Sequence, residues 1–132
     1  MRAKVLVIDD QAEIGNYIRR VAEPIGYEVM VTTESREAMK LFEAFCPDLV
    51  ILDIVMPDVD GIELLRAFGG AGCKAHVLVV TGFSPSYLES ADKLSIRFGL
   101  PSVTTMLKPL RLAALRQFLA DRAPPATEGG LR

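Results

Sequence analysis

The segment DLVILDIVMPDVDG, residues 48–61, joins a short apolar run to a loop rich in turn-forming residues. The run Leu49–Leu52 has the length and composition of a buried strand, and the proline, aspartates and glycine that follow it indicate a turn. Asp53 stands between the two. A carboxylate at that junction lies at the end of a strand, where it can face a ligand.

Three other apolar runs also stop at residues that can take part in chemistry. Because the runs alternate with segments of helical period, we predict an α/β fold in which a parallel sheet carries helices on both faces. The carboxyl ends of parallel strands share one edge of the sheet, and ligands bind there. That edge should collect Asp9 and Asp10 after Lys4–Ile8, Asp53 after Leu49–Leu52, Thr81 after Val77–Val80, and Lys108 after Val103–Leu107.

Helical periodicity predicts five helices, each following a strand, with the second strand over Tyr27–Thr32. They are a helix through Ile14 and Ile25 that Pro24 and Gly26 end, one through Ala38 and Phe45 that Cys46-Pro47 ends, a short one over Gly61–Phe68 that Gly69-Gly70 ends, one from Ser84-Pro85 through Phe98, and one from about Leu110 to Asp121.

The length of 132 residues, half of them hydrophobic, is that of one domain. We place this domain over residues 1–121. Residues 122–132 hold two prolines and two glycines with few apolar residues, so they are predicted to be a flexible tail or the start of a linker.

The net charge of −2 gives no electrostatic footprint for direct nucleic-acid binding. No apolar segment resembles a signal peptide or is long enough to cross a bilayer, so we expect no membrane association. Cys46 and Cys73 lack metal-ligand spacing and are interpreted as reduced packing residues. These features together favour a cytoplasmic protein.

The ordered set of polar strand ends resembles the receiver domain of bacterial two-component response regulators. The motifs that carry the resemblance are the acidic pair Asp9-Asp10, Asp53 before Met-Pro-x-x-Asp-Gly, Thr81 after the fourth strand, and Lys108-Pro109 after the fifth. The resemblance implies a flavodoxin-like, five-stranded parallel sheet of order 2-1-3-4-5. It also implies a cis peptide bond between Lys108 and Pro109.

By the same resemblance, Asp53 accepts a phosphoryl group and Mg²⁺ is the cofactor. Asp10, Asp53 and the backbone carbonyl of Val55 are implied as direct ligands, with Asp9 acting mainly through water. Lys108 and the Thr81 hydroxyl would contact the phosphoryl oxygens. The implied donor is a sensor histidine kinase or a histidine phosphotransfer protein, and the resemblance leaves a homodimer open.

The sequence departs from the family at one position near this edge. The family usually has Tyr or Phe three residues before the Lys-Pro pair and uses it as a switch, whereas here that residue is Thr105. By the same resemblance, Val55 and Phe83, two residues after Asp53 and Thr81, occupy the positions that govern the approach of a hydrolytic water. Neither side chain can hydrogen-bond a water, so we expect slow dephosphorylation. His76 begins the fourth strand and should lie at the opposite edge.

Two other functions compete with a phospho-accepting signalling module. Phosphohydrolases with an aspartate nucleophile have an Asp-x-Asp motif, in which the second aspartate serves as acid and base. Here Val55, which cannot do so, stands two residues after Asp53. A flavin carrier of the same fold needs phosphate donors after the first strand, where residues 9–13 would repel phosphate. We therefore expect a signalling domain that assists its own phosphorylation and is not an enzyme.

Overall fold

The computed structural model describes residues 2–54, 61–72, 74–82, 93, 96–97 and 99–122. Five parallel strands form one sheet in the order β2-β1-β3-β4-β5, so the predicted fold class and strand order are confirmed. The strands are β1 (Lys4–Ile8), β2 (Glu28–Thr32), β3 (Leu49–Asp53), β4 (His76–Thr81) and β5 (Ser102–Leu107).

Four helices lie within the described residues: α1 (Ala12–Ile25), α2 (Ala38–Phe45), α3 (Gly61–Gly70) and a C-terminal helix (Leu112–Arg122). A 3₁₀ turn, Ser35–Glu37, precedes α2. The predicted helix over residues 84–98 falls almost wholly outside the described residues, as does the predicted tail beyond residue 122. None of the described helices is long and apolar enough to cross a membrane.

The sheet separates two hydrophobic clusters, because successive side chains of a strand point to opposite faces. On one face, Leu6 and Leu52 pack with residues of α2 and α3. On the other, Val7 and Ile51 pack with residues of α1 and the C-terminal helix. The three central strands β1, β3 and β4 are buried on both faces, which explains why the sequence there is apolar without alternation.

Two predicted helix ends were wrong by two residues. Helix α3 continues through Gly70, and the chain leaves it at Gly72, which has a φ of +75°. Glycine costs a helix only about 1 kcal/mol relative to alanine, and the packing of Leu65 and Phe68 outweighs that cost. The C-terminal helix begins at Leu112 instead of Leu110, whose side chain is buried in the preceding turn.

Cys46 is not the packing residue that the sequence suggested. Its side chain is exposed, and it ends α2 in the left-handed region with a φ of 51°, a conformation that the reversal of the chain toward β3 requires. The composition of the sequence gave no sign of this role, since glycine or asparagine is the usual residue there. Cys73 lies outside the described residues.

Gly61 fixes the start of α3 against the end of β3. Its N–H donates a hydrogen bond to the Ile54 carbonyl oxygen at 3.0 Å. A Cβ atom built on Gly61 would lie 2.6 Å from that oxygen and 2.7 Å from the carbonyl carbon. Because these atoms belong to the backbone, the contact cannot be relieved by rotating a side chain. Only glycine allows this approach.

The edge of the sheet opposite the strand ends is held by hydrogen bonds around His76. Its Nδ1 pairs with the Ser102 hydroxyl at 2.5 Å and its Nε2 with the Thr104 hydroxyl at 2.8 Å. The imidazole also packs edge-on against Phe118. These contacts join β4, β5 and the C-terminal helix. His76 therefore has a structural role, at the edge of the sheet where the sequence placed it.

Tyr27 makes a similar connection on the same side of the molecule. Its buried hydroxyl donates a hydrogen bond to the Leu119 carbonyl oxygen at 2.8 Å, joining the entry of β2 to the C-terminal helix. Burial raises the pKa of the Tyr27 phenol to about 12, so the group remains a neutral donor under ordinary conditions.

Replacing Gly61 by alanine should destabilise the protein by about 1–3 kcal/mol, because the new methyl group overlaps the Ile54 backbone. Gly70→Ala is the matched control, since a Cβ there meets nothing within 4 Å and should leave stability unchanged or raise it by about 0.5–1 kcal/mol. Urea unfolding followed by circular dichroism measures both. Equal stability of the two variants would contradict this account of Gly61.

The environment of His76 predicts a pH dependence of stability. Burial and the nearby Arg122 lower the pKa of His76 below its ordinary value of about 6.5. Below about pH 6.5 the unfolded chain therefore binds more protons than the folded one. The stabilising effect of neutral His76 is complete above that pH and is lost as the pH falls toward the lowered pKa.

We expect the advantage in unfolding free energy of the native protein over His76→Gln to shrink as the pH falls from about 7 to 5. Glutamine keeps polar atoms near Ser102 and Thr104 but does not titrate. Urea titrations of both proteins across this range measure the difference. An advantage that is constant or that grows toward low pH would show that the sign is wrong.

Candidate functional site

The carboxyl ends of β1 and β3 bring three carboxylates together. The two strands are neighbours in the sheet, with Ile8 paired with Leu52, so the residues that follow that pair are adjacent. Asp9, Asp10 and Asp53 each offer a carboxylate oxygen, and these oxygens lie within 4.8 Å of one another. The structure thus assembles the acidic group expected from the sequence.

Two of these carboxylates are withdrawn from solvent. Asp9 is 3% exposed and Asp53 is 6% exposed, whereas Asp10 is exposed. Buried carboxylates need compensating partners because removal from water is costly. One such partner is the backbone N–H of Gln11, which donates to Asp9 Oδ1 at 2.9 Å.

Lys108 supplies the opposite charge. It follows β5 directly, and its N–H donates to the Thr81 carbonyl oxygen at 2.9 Å, which anchors the residue beside the end of β4. Its Nζ lies 3.1 Å from Asp9 Oδ2 and 3.3 Å from Asp53 Oδ2. One ammonium therefore bridges the aspartates of two strands. The peptide bond to Pro109 is cis, as predicted.

The two effects on the Lys108 ammonium oppose each other. Burial by itself lowers the pKa of Lys108, while the charges of Asp9 and Asp53 and their hydrogen bonds raise it, and the net pKa is above the ordinary lysine value. The ammonium is thus held in its charged form at neutral pH. A permanent cation beside Asp53 can stabilise negative charge that arrives there.

Thr81 reaches the same edge as the last residue of β4 and is fully buried. The register places it opposite Leu107, one residue before Lys108, while its neighbour Val80 pairs with Asp53. The strand ends thus bring Thr81, Lys108 and Asp53 to one edge, as predicted. Val55, the remaining expected ligand, lies outside the described residues.

The three carboxylates fit a divalent cation that prefers oxygen ligands. Mg²⁺ is bound by one or two carboxylates together with waters and phosphate oxygens, and exposed Asp10 beside buried Asp9 and Asp53 leaves solvent access for them. The repulsion among three adjacent carboxylates is only partly balanced by Lys108. A further cation here would relieve it.

Gln11 is a site residue that the sequence analysis did not identify. Its side-chain oxygen Oε1 accepts a hydrogen bond from Lys108 Nζ at 3.4 Å. The one indication in the sequence is that Gln11 directly follows the acidic pair. An uncharged side chain at one position does not reveal a contact with a residue 97 positions later in the chain.

Thr105 lies on β5 paired with Val79 and is partly buried. Its side chain is on the same face of the sheet as Val103, which packs with the α2 and α3 cluster. Thr81 and Val79 are on that face too. The expectation that the usual aromatic switch is absent rests on the residue itself, and Phe83 lies outside the described residues.

A family model for the response regulator receiver domain matches residues 5–120. Together with the strand order and the grouped strand-end residues, this match shows that the chain belongs to the receiver domains of two-component response regulators. The resemblance seen in the sequence is therefore confirmed.

Similar proteins of known sequence are regulators longer than this chain. The probable transcriptional regulator ycf27 of Porphyra purpurea is 32% identical over 130 residues, covering 76% of this chain and 54% of that protein. The alkaline phosphatase synthesis transcriptional regulatory protein PhoP of Bacillus subtilis is 38% identical over 81 residues, covering 61% of this chain and 34% of that protein. The chain spans about half, or less, of the length of these relatives.

Solved structures agree with the fold. A response regulator from Colwellia psychrerythraea is 30% identical with a TM-score of 0.75, covering 90% of this chain and 94% of that one. The chemotaxis response regulator CheY4 of Vibrio cholerae has a TM-score of 0.78 at 24% identity, covering 92% of this chain and 98% of that one. At that identity the second likeness shows the fold alone.

Proposed function

We propose that this receiver domain accepts a phosphoryl group on Asp53 with the help of Mg²⁺, and that the phosphorylated form changes its binding to a partner. The observation that carries the proposal is the bridge from the Lys108 ammonium to Asp9 and Asp53 beside exposed Asp10. A buried nucleophile, a fixed cation and a cation-binding acidic group are what phosphoryl transfer asks of a protein.

With an acyl phosphate as donor, the transfer needs no proton. An oxygen of the Asp53 carboxylate forms a bond to phosphorus while the bond from phosphorus to the donor oxygen breaks. The electron pair of that bond leaves with the donor carboxylate. One anionic carboxylate is consumed and one is released, so total charge is conserved. With this donor the reaction therefore does not require a general acid.

The residues of the chain share the remaining work. Lys108 stabilises charge on the phosphoryl oxygens, and the Thr81 hydroxyl is proposed as a second donor to them. Asp10 and Asp53, with Asp9 acting through water, would hold Mg²⁺, and the backbone carbonyl of Val55 completes the ligand set implied by the family. Bound Mg²⁺ supplies further positive charge for the transferred group.

Histidine kinases are the partners that the response regulator family implies. We propose a sensor histidine kinase or a histidine phosphotransfer protein as donor in the cytoplasm, and no separate enzymatic turnover. Val55 and Phe83 cannot orient a water, so the proposal includes slow dephosphorylation.

Intact-mass analysis after incubation with Mg²⁺ and a small acyl-phosphate donor tests the proposal. We expect the mass of one phosphoryl group on the native protein, lost on treatment with hydroxylamine because acyl phosphates react with that nucleophile. Asp53→Ala should abolish the added mass, and Lys108→Ala or Asp10→Ala should reduce its rate sharply. Asp121→Ala removes an exposed carboxylate of the C-terminal helix and is the matched control.

Robust labelling of Asp53→Ala, or labelling of native protein that does not need Mg²⁺, would reject the proposal.

After removal of the donor, the label on the native protein should persist longer than on Val55→Asn, whose side chain can orient a water. Faster loss from the native protein would reject the part of the proposal that concerns dephosphorylation. A phosphohistidine donor in place of the acyl phosphate then tests the partner class.

A further inference from the structure

Gln11 occupies a position where its side chain has two alternative roles. It is the N-cap residue of α1, with an extended backbone, and its carbonyl oxygen accepts the first hydrogen bond of the helix from Ile14 at 3.0 Å. Side chains at N-caps commonly accept a hydrogen bond from the helix, yet Gln11 makes none. Its Oε1 is instead 3.4 Å from Lys108 Nζ.

The Lys108 ammonium has three hydrogens to donate. Asp9, Asp53 and Gln11 provide an acceptor each, and they come from the ends of two strands and the start of a helix. Gln11 is the only uncharged member of the three and is exposed, while the two carboxylates are buried. Gln11 therefore contacts the ammonium from the solvent side.

Phosphorylation and cation binding alter the charge and the partners of the Asp9 and Asp53 carboxylates, but they leave the Gln11 amide unchanged. Conversion of Asp53 to an acyl phosphate moves the negative charge that attracts Lys108 from the carboxylate to the phosphoryl oxygens. A cation at the acidic group competes with Lys108 for the oxygens of Asp9 and Asp53. The amide oxygen of Gln11 is neither phosphorylated nor a preferred ligand of the cation. Its hydrogen bond to the ammonium therefore remains available throughout.

We propose that Gln11 is a positioning residue that keeps the Lys108 ammonium directed at the phosphoryl group on Asp53 while the carboxylates are otherwise engaged. This inference rests on the proposed function. Gln11 also aligns Asp9 through its backbone N–H, which any residue can supply, so only the contact with Lys108 depends on the glutamine side chain.

Two substitutions separate positioning from a purely structural role. Gln11→Ala removes the amide. Gln11→Asn shortens the side chain by one methylene, so it no longer reaches Lys108, but asparagine is among the best N-cap residues and should leave α1 as stable or more stable. We measure the urea midpoint and the rate of phosphoryl labelling for each protein with a small acyl-phosphate donor and Mg²⁺.

Both variants should label about three- to tenfold more slowly than the native protein, the factor expected for loss of one hydrogen bond of ordinary strength, because this bond is long and exposed. The midpoint of Gln11→Asn should equal or exceed the native value. Native-rate labelling by Gln11→Asn, or by both variants, would overturn the inference and leave the proposed function intact. A native protein that takes up no phosphoryl group would overturn both.

Discussion

The attraction between the Lys108 ammonium and the carboxylates of Asp9 and Asp53 is the interaction on which the site depends. It joins β1, β3 and the turn after β5, which the parallel sheet brings to one edge although β4 lies between β3 and β5. It places a fixed positive charge beside two carboxylates that are buried next to each other and close to Asp10. Thr81 strengthens the arrangement through its backbone, which holds Lys108 in register with β4.

The sheet divides its chemistry between its two edges. At the carboxyl edge, three carboxylates and one ammonium lie close together, so a bound cation would balance the remaining negative charge. At the opposite edge, His76 and Tyr27 are kept neutral by burial and pair with hydroxyl or carbonyl oxygens. Contacts at that edge hold β4, β5 and the C-terminal helix together. The functional side chains lie at the carboxyl edge, on the scaffold that these contacts stabilise.

The strands and the residues at their ends could be predicted because each strand is a local apolar run followed by polar residues, whereas the strand order was implied by the family resemblance. Apolar runs ending at Asp9, Asp53, Thr81 and Lys108 sufficed to place those residues on one edge. What failed depended on tertiary contacts: the continuation of α3 through Gly70, the left-handed cap at Cys46, and the contact between Gln11 and Lys108. Each is decided by packing or by a partner distant in the chain, which no local pattern reports.

We propose that the three carboxylates at the edge of the sheet form one cation site. The most direct test is urea unfolding of the native protein at rising Mg²⁺, with NaCl added to equal ionic strength as the reference. Binding to the folded state alone raises stability with ion concentration. We predict a rising midpoint for native protein and Asp121→Ala, and a smaller rise for Asp10→Ala. No rise beyond the NaCl reference, or equal rises in all three proteins, would contradict the claim.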